Sequence, residues 1–294
     1  LLYHVRRKTV LFSIAYPGCR NGIKHYLENT HFIQRGAVMY YILSDIHGHY
    51  KEFLIRLKQI KQLWEKEKNN KLILLGDYID RGPESYKVVK EVYELQQKYG
   101  VDKVVALRGN HEEWFLEYLF ESEDVWLVED TNLVTSKTFL SDKELLQVRK
   151  IALQSKIDSV YSYIRECIKA NHTELLKWMK QLPYYYKTDT QIFVHAGVDE
   201  EAEDWWEVGT PEYVFVGKYP PTKGRVYMDI IAGHTSTAAI SQNQNYHDVF
   251  YDKESHYYID GSVSHSKFIP VLVFDESKKE YFSLSKEGNL ISIT

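Results

Sequence analysis

Short apolar runs that each end in a block of Gly, Asp, His and Asn recur along this chain, and that recurrence restricts its fold more than any other feature. YYILS at 40–44 passes into Ser44-Asp45-Ile46-His47-Gly48. KLILLG at 71–76 passes into Gly76-Asp77-Tyr78-Ile79-Asp80-Arg81-Gly82, and KVVALR at 103–108 into Arg108-Gly109-Asn110-His111-Glu112. Two helical patterns separate them. Phe53, Leu57, Ile60 and Trp64 fall at i, i+4, i+7 and i+11, one apolar stripe of an amphipathic helix over 50–66. Val88, Val92 and Leu95 mark a second helix over about 84–98, stopped by Gly100. This alternation predicts parallel strands with helices on the sheet face. The carboxyl ends of such strands converge on one crevice, which would bring the three polar blocks together.

From 112 to about 182 the pattern is helical, rich in Leu, Trp, Glu and Lys, until Pro183 and the run Tyr184–Tyr186. Strand signals return at 191–194, 228–232, 257–259, 268–274 and 280–284. Two of these end as the first three do, in Val194-His195-Ala196-Gly197 and Ala232-Gly233-His234-Thr235. The expected architecture is an α/β sandwich over 39–294 with a helical cap inserted at about 112–182. Residues 1–38 show no sustained period and read as a non-native or disordered extension, with Met39 as the natural start.

Composition removes several classes. Aromatic residues make up 14% of the 294, far more burial than a disordered chain carries. No run of ~18 apolar residues suggests a membrane span. A formal charge of −4 argues against nucleic-acid binding through global positive charge. Cys19 and Cys167 lack any CxxC spacing, which argues against a disulfide scaffold or thiolate zinc cluster and for a reducing compartment; with no credible export signal read, the cytoplasm is the expected setting.

Asp45, His47, Asp77, Asn110, His195 and His234 offer imidazole, carboxylate and amide oxygen without thiolate. Six such donors exceed what one ion needs. The set suits two borderline divalent ions, Mn first and Fe or Zn as alternatives, with Asp77 as the bridging carboxylate. The blocks D-x-H-G, G-D-x-x-D-R-G and G-N-H-E, followed by H-A-G and G-H-T, closely resemble the calcineurin-like metallophosphoesterases. Within that group they match the PPP-type serine/threonine phosphatases, in their bacterial and phage branch. The five fixed positions of G-D-x-x-D-R-G recur by chance about once in a million registers.

The resemblance implies a sandwich of two mixed sheets flanked by helices, and direct attack by a metal-bridging hydroxide. It assigns Asp45, His47 and Asp77 to one metal and Asp77, Asn110, His195 and His234 to the other. It makes His111 the general acid, Asp80 the carboxylate that orients it, and Arg81 a phosphate clamp. Arg108 and Glu112 are expected to tie loops together. Such phosphatases carry a second clamping Arg between the last two metal histidines. Here that stretch offers Lys218 and Arg225 as candidates, with Lys223 beside them, and Ser44 replaces a common Gly. The substrate expected first is phosphoserine or phosphothreonine in proteins. The alternative is a dinucleoside polyphosphate stacked on Trp205 or Trp206, and a silent metal-binding scaffold comes last.

Overall fold

The computed structural model describes residues 38–293, apart from 66, 67, 122 and 155. The reading of residues 1–37 falls outside the described residues. Strands β1 (Met39–Leu43), β2 (Lys71–Leu74) and β3 (Val104–Ala106) are joined by helices α1 (Tyr50–Trp64) and α2 (Ser85–Tyr99). They pair in parallel, with Tyr40 opposite Lys71 and Leu72 opposite Val104. Later strands β9 (Leu272–Asp275), β10 (Glu280–Leu284) and β11 (Leu290–Ser292) extend this sheet antiparallel from β1, giving the order β11-β10-β9-β1-β2-β3. The second sheet combines β4 (Tyr185–Lys187), β5 (Gln191–Val194), β6 (Asp229–Ser236), β7 (Phe250–Tyr251) and β8 (His256–Asp260) in the order β4-β5-β6-β8-β7.

The alternation of side chains along β1 separates two cores. Tyr40 and Ile42 meet Phe193, Ile231, Tyr257 and Ile259 between the sheets. Tyr41 and Leu43 face the helices, among Phe53, Ile60 and Trp64 of α1 and Val88 and Val92 of α2. Covering both faces explains why β1 reads as an unbroken apolar run. The far side of the second sheet is closed by Trp206 and Phe215 on Ile192, Val194, Ile230 and Tyr258.

Between β3 and β4 the chain forms α3 (Asn110–Phe120), three short turns of 3₁₀ helix, then α4 (Asp142–Gln154), α5 (Ile157–Asn171) and α6 (Thr173–Lys180). Trp126, Phe139, Ile164, Leu176 and Met179 join the same core as α2. The helical stretch thus extends the core of the helical layer. No helix of the described residues is long and apolar enough to cross a membrane.

Two strands differ from the sequence reading. The run 268–274 enters the sheet only at Leu272, because Pro270 has no N–H to donate to a ladder. The run 228–232 continues to Ser236. Its register slips between Ala232 and Ser236, and His234 there has φ 61°. Such an irregularity re-aims a side chain, and here it concerns one of the six candidate ligands.

Candidate metal centre and active site

The loops that end β1, β2 and β3 pack against one another through backbone hydrogen bonds. Asp45 N donates to Gly76 O at 3.2 Å and His47 N to Asp77 O at 2.9 Å. The third loop is tied in by Glu112, fully buried in the first turn of α3. Its two oxygens accept from Asp77 N at 2.8 Å, Tyr78 N at 2.8 Å, Ile79 N at 3.3 Å and Gly109 N at 3.0 Å. Reaching back to Gly109 N follows the capping-box pattern. Binding Asp77, Tyr78 and Ile79 as well makes Glu112 the clasp between the second and third loops. Arg108 is held by Glu113 at 2.7 Å and by Tyr184 at 3.2 Å, outside the cleft.

Asp45, His47, Asp77, Asp80, Arg81 and His234 all have φ between 45° and 71°. Non-glycine residues seldom adopt this left-handed region, and each such residue costs on the order of 1 kcal/mol. Six of the nine residues expected as metal ligands or catalytic groups show backbone strain concentrated at the centre, as it is at functional sites. Ser44 is not among the positive-φ residues, so serine fits there without strain.

The structure brings several of these side chains together. Asp45, Asp77 and His195 bring ligand atoms within 4.8 Å of one another, and so do His47, Asp77 and His111. Asp77 divides its carboxylate. Its Oδ2 lies 3.5 Å from His47 Nε2, and its Oδ1 lies 3.4 Å from His195 Nε2. Asn110 Oδ1 is 3.0 Å from both His195 Nε2 and His234 Nδ1. His47 and His195 turn their Nδ1 atoms to the backbone carbonyls of Ile79 (2.9 Å) and Leu75 (3.1 Å). That arrangement fixes the ring and frees Nε2 for a ligand role. The buried His47 Nε2 has no hydrogen-bond partner, and a divalent cation would satisfy it.

Charge at the centre points the same way. Burial lowers His47 well below the usual imidazole range, leaving the neutral form that binds metal. Burial, then His195, brings His234 down to about 4. Burial raises Asp45, while for Asp77 the histidines His195, His111 and His47 outweigh burial and hold it well below its usual range. Burial opposes charge on His195, yet Asp77 and Asp45 lift it to about 9. A buried set of carboxylates that draws protons onto its neighbours is a set that a cation suits, and cation binding would release that proton.

Next to the candidate ligands, His111 Nδ1 lies 2.6 Å from Asp80 Oδ2, and His111 Nε2 lies 3.3 Å from Arg81 Nη2. Burial pulls His111 down, but Asp77 and then Asp80 lift it to about 9. The cleft above has a volume of about 390 Å³. His47, Arg81 and His234 border it, together with Tyr219, Asp260 and His265.

Lys218 and Arg225 are not brought to this cleft. The Lys218 ammonium binds Val198 O at 2.6 Å and pairs with Glu200, so its charge is already engaged. Both cations line a neighbouring hollow of about 750 Å³, and Tyr219 lines both that hollow and the cleft. Among the described residues Arg81 is the one arginine bordering the cleft. Trp206 is a core residue and Trp205 is exposed on the surface; neither borders the cleft. Sequence reasoning missed Asp260, although it ends β8 just before Gly261, the same strand-end signal as the other blocks. His265 and Tyr219 belong to none of the strand-end blocks, and nothing local marked them.

Two mixed sheets with metal-capable side chains gathered at the ends of their parallel strands define a metallophosphoesterase fold. This chain belongs to the calcineurin-like phosphoesterases, whose family profile matches residues 39–237. It is similar to a bis(5′-nucleosyl)-tetraphosphatase (asymmetrical) of Anoxybacillus flavithermus, 37% identical over 79 residues, which is 25% of this chain and 31% of that protein. A bis(5′-nucleosyl)-tetraphosphatase (symmetrical) of Buchnera aphidicola is 42% identical over 72 residues, 24% of this chain and 23% of that protein. The matched stretches therefore span under a third of these relatives' own length. Among solved structures, the cold-active protein-tyrosine phosphatase of a psychrophilic Shewanella species superposes with TM-score 0.56 at 17% identity, covering 87% of this chain and 80% of that one. This last likeness is one of fold.

Proposed function

We propose that this chain is a phosphoesterase whose centre holds two divalent cations with Asp77 shared between them. The division of the Asp77 carboxylate, Oδ2 toward His47 and Oδ1 toward His195, carries the reading. Asp45 and His47 complete one ligand set, and Asn110, His195 and His234 the other. Mn suits these oxygen and nitrogen donors, with Fe or Zn as alternatives. Cations held there supply electrostatic stabilisation of the phosphoryl group and a lowered pKa for attacking water.

The chain's own residues do the rest. Arg81, exposed at the edge of the cleft, forks onto phosphoryl oxygens. His111 keeps Nδ1 on Asp80 and presents Nε2 beside Arg81, where a departing oxygen can take its proton. The Asp80 carboxylate on Nδ1 favours the ring that carries a proton on both nitrogens, as donation requires.

For the substrate, we place dinucleoside polyphosphates before phosphoproteins, reversing the order expected from the sequence. Two of the relatives bear that name. The larger hollow, which shares Tyr219 with the cleft as a lining residue, offers room for a second nucleoside, with Tyr219 in the stacking role first considered for Trp205 and Trp206. The cytoplasmic setting expected from the sequence accompanies this reading.

Chromatography of diadenosine tetraphosphate after incubation with Mn-loaded protein, beside phosphate release from a phosphoserine peptide, tests it. Cleaved tetraphosphate with an intact peptide is the expected result. Dephosphorylated peptide with intact tetraphosphate would overturn the nucleotide preference. No hydrolysis of either with Mn, Fe or Zn would overturn the phosphoesterase reading.

A further inference from the structure

Asp80 has more partners than orienting one histidine requires. Its Oδ2 accepts from His111 Nδ1 at 2.6 Å and from the indole N–H of Trp126 at 2.9 Å. Its Oδ1 accepts the Thr135 hydroxyl at 2.6 Å. Asp80, Trp126 and Thr135 are all fully buried. A carboxylate rotates freely about its last torsion, because that rotor has no sharp minimum of its own. Only donors on both oxygens set its plane, and two of the three come from the helical stretch, 46 and 55 residues along the chain.

Those two donors are themselves anchored. The Trp126 ring packs on Phe115 at 4.8 Å and Tyr118 at 5.0 Å, both on α3, the helix whose first turn carries His111. Thr135 and Ser136 give their backbone N–H groups to Asp130 Oδ1 at 2.7 and 3.0 Å, and the Ser136 hydroxyl binds the same carboxylate. From the other side, Asp80 N donates to Ser85 Oγ at 3.0 Å.

We propose that Trp126 and Thr135 are positioning residues for proton donation by His111, locking the Asp80 carboxylate so that docking of the 125–139 segment and aiming of the acid are one event. The inference rests on the phosphoesterase reading above. Neither residue touches substrate; each acts through Asp80. A segment that only shaped the cleft would have no need of two buried donors on this carboxylate.

The test is Trp126→Phe and Thr135→Val, with Thr135→Ser as the variant that restores the hydroxyl. Each is assayed on p-nitrophenyl phosphate, whose leaving group departs without a proton, and on phenyl phosphate, whose leaving phenoxide (pKa ~10) takes one. The expected result is a fall in kcat of about tenfold or more on phenyl phosphate and less than about threefold on p-nitrophenyl phosphate. KM and metal content should be unchanged, and Thr135→Ser should recover the loss. Equal falls on both esters, or none on either, would overturn the proposal. A second measurement holds even if the native protein cleaves neither ester, an outcome that would count against the phosphoesterase reading alone. The His111 Nδ1 proton, identified by its loss in His111→Asn, should give an exchange-protected downfield NMR signal in the native protein. That signal should broaden in both Trp126→Phe and Thr135→Val and return in Thr135→Ser. A signal unchanged in both variants would overturn the proposal by itself.

Discussion

Replacing Gly109 by alanine probes how the centre is assembled. The residue has φ −102°, a value any amino acid adopts, so backbone preference is not at issue. Space is. A Cβ at Gly109 would stand 2.1 Å from Asp77 Oδ1 and 2.5 Å from Asp77 N, where ordinary contact begins at 3.4 Å. The carboxylate can rotate aside, but the backbone nitrogen cannot, because Glu112 grips both Asp77 N and Gly109 N. The two loops must part by the difference between 3.4 Å and 2.5 Å, about 0.9 Å. Asn110 and His111 move with Gly109. A displacement of ~1 Å at reacting groups costs about 100-fold in rate, and overpacking of this kind costs about 1–3 kcal/mol in stability. Gly109→Ala should therefore lower kcat on the best phosphate ester about 100-fold and reduce bound metal, read by steady-state kinetics and elemental analysis. Gly100→Ala is the matched control. Gly100 has φ +86° and open space where the Cβ would go, so its cost is about 1–3 kcal/mol of backbone strain. Its Tm should fall by ~2–4 °C per kcal/mol with kcat intact. If Gly109→Ala kept full metal and kcat within about threefold of native, the close approach of the two loops would not be what holds the centre together.

Three further outcomes follow from the geometry. His111→Asn should lower turnover by about 10²–10⁴-fold while metal content stays native, which separates proton donation from ligation. Asp80→Asn removes a negative partner that lifts His111 toward about 9. The acid works only while protonated, so the alkaline limb of the kcat profile should move to lower pH, by about 1–3 units; an unmoved limb would count against the pairing. Dialysis against a chelator should abolish phosphate-ester hydrolysis and added Mn²⁺ should restore it, whereas activity that survives full metal removal would sink the two-cation reading.

Much of this protein is legible along the chain because its signals are local. A strand that runs into Asp-x-His-Gly or Gly-Asn-His-Glu announces both the end of pairing and a donor placed at that end. Parallel strands then leave those donors one side on which to gather. Even the role of Glu112 as a tie could be anticipated, since it sits one helical turn from Gly109 at the start of α3. The strain at Asp45, His47, Asp77, Asp80, Arg81 and His234 is not written there, for a positive φ is imposed by the packed loops and not by the residue type.

What lies outside local pattern was decided by packing between distant segments. Lys218 looked available until folding set Glu200, eighteen residues earlier, against its ammonium. A charge meets its partner only where the chain places both. Trp126 and Thr135 carry no motif; their meaning comes from the buried Asp80 carboxylate, 46 and 55 residues away, which needs donors on both oxygens. Asp260 and Tyr219 border the cleft because β8 and the loop before β6 are carried there by the second sheet. Local order along the chain set the candidate ligands and the parallel strands that deliver them. Burial, which denies polar groups water and makes them seek one another, chose the partners that aim those ligands.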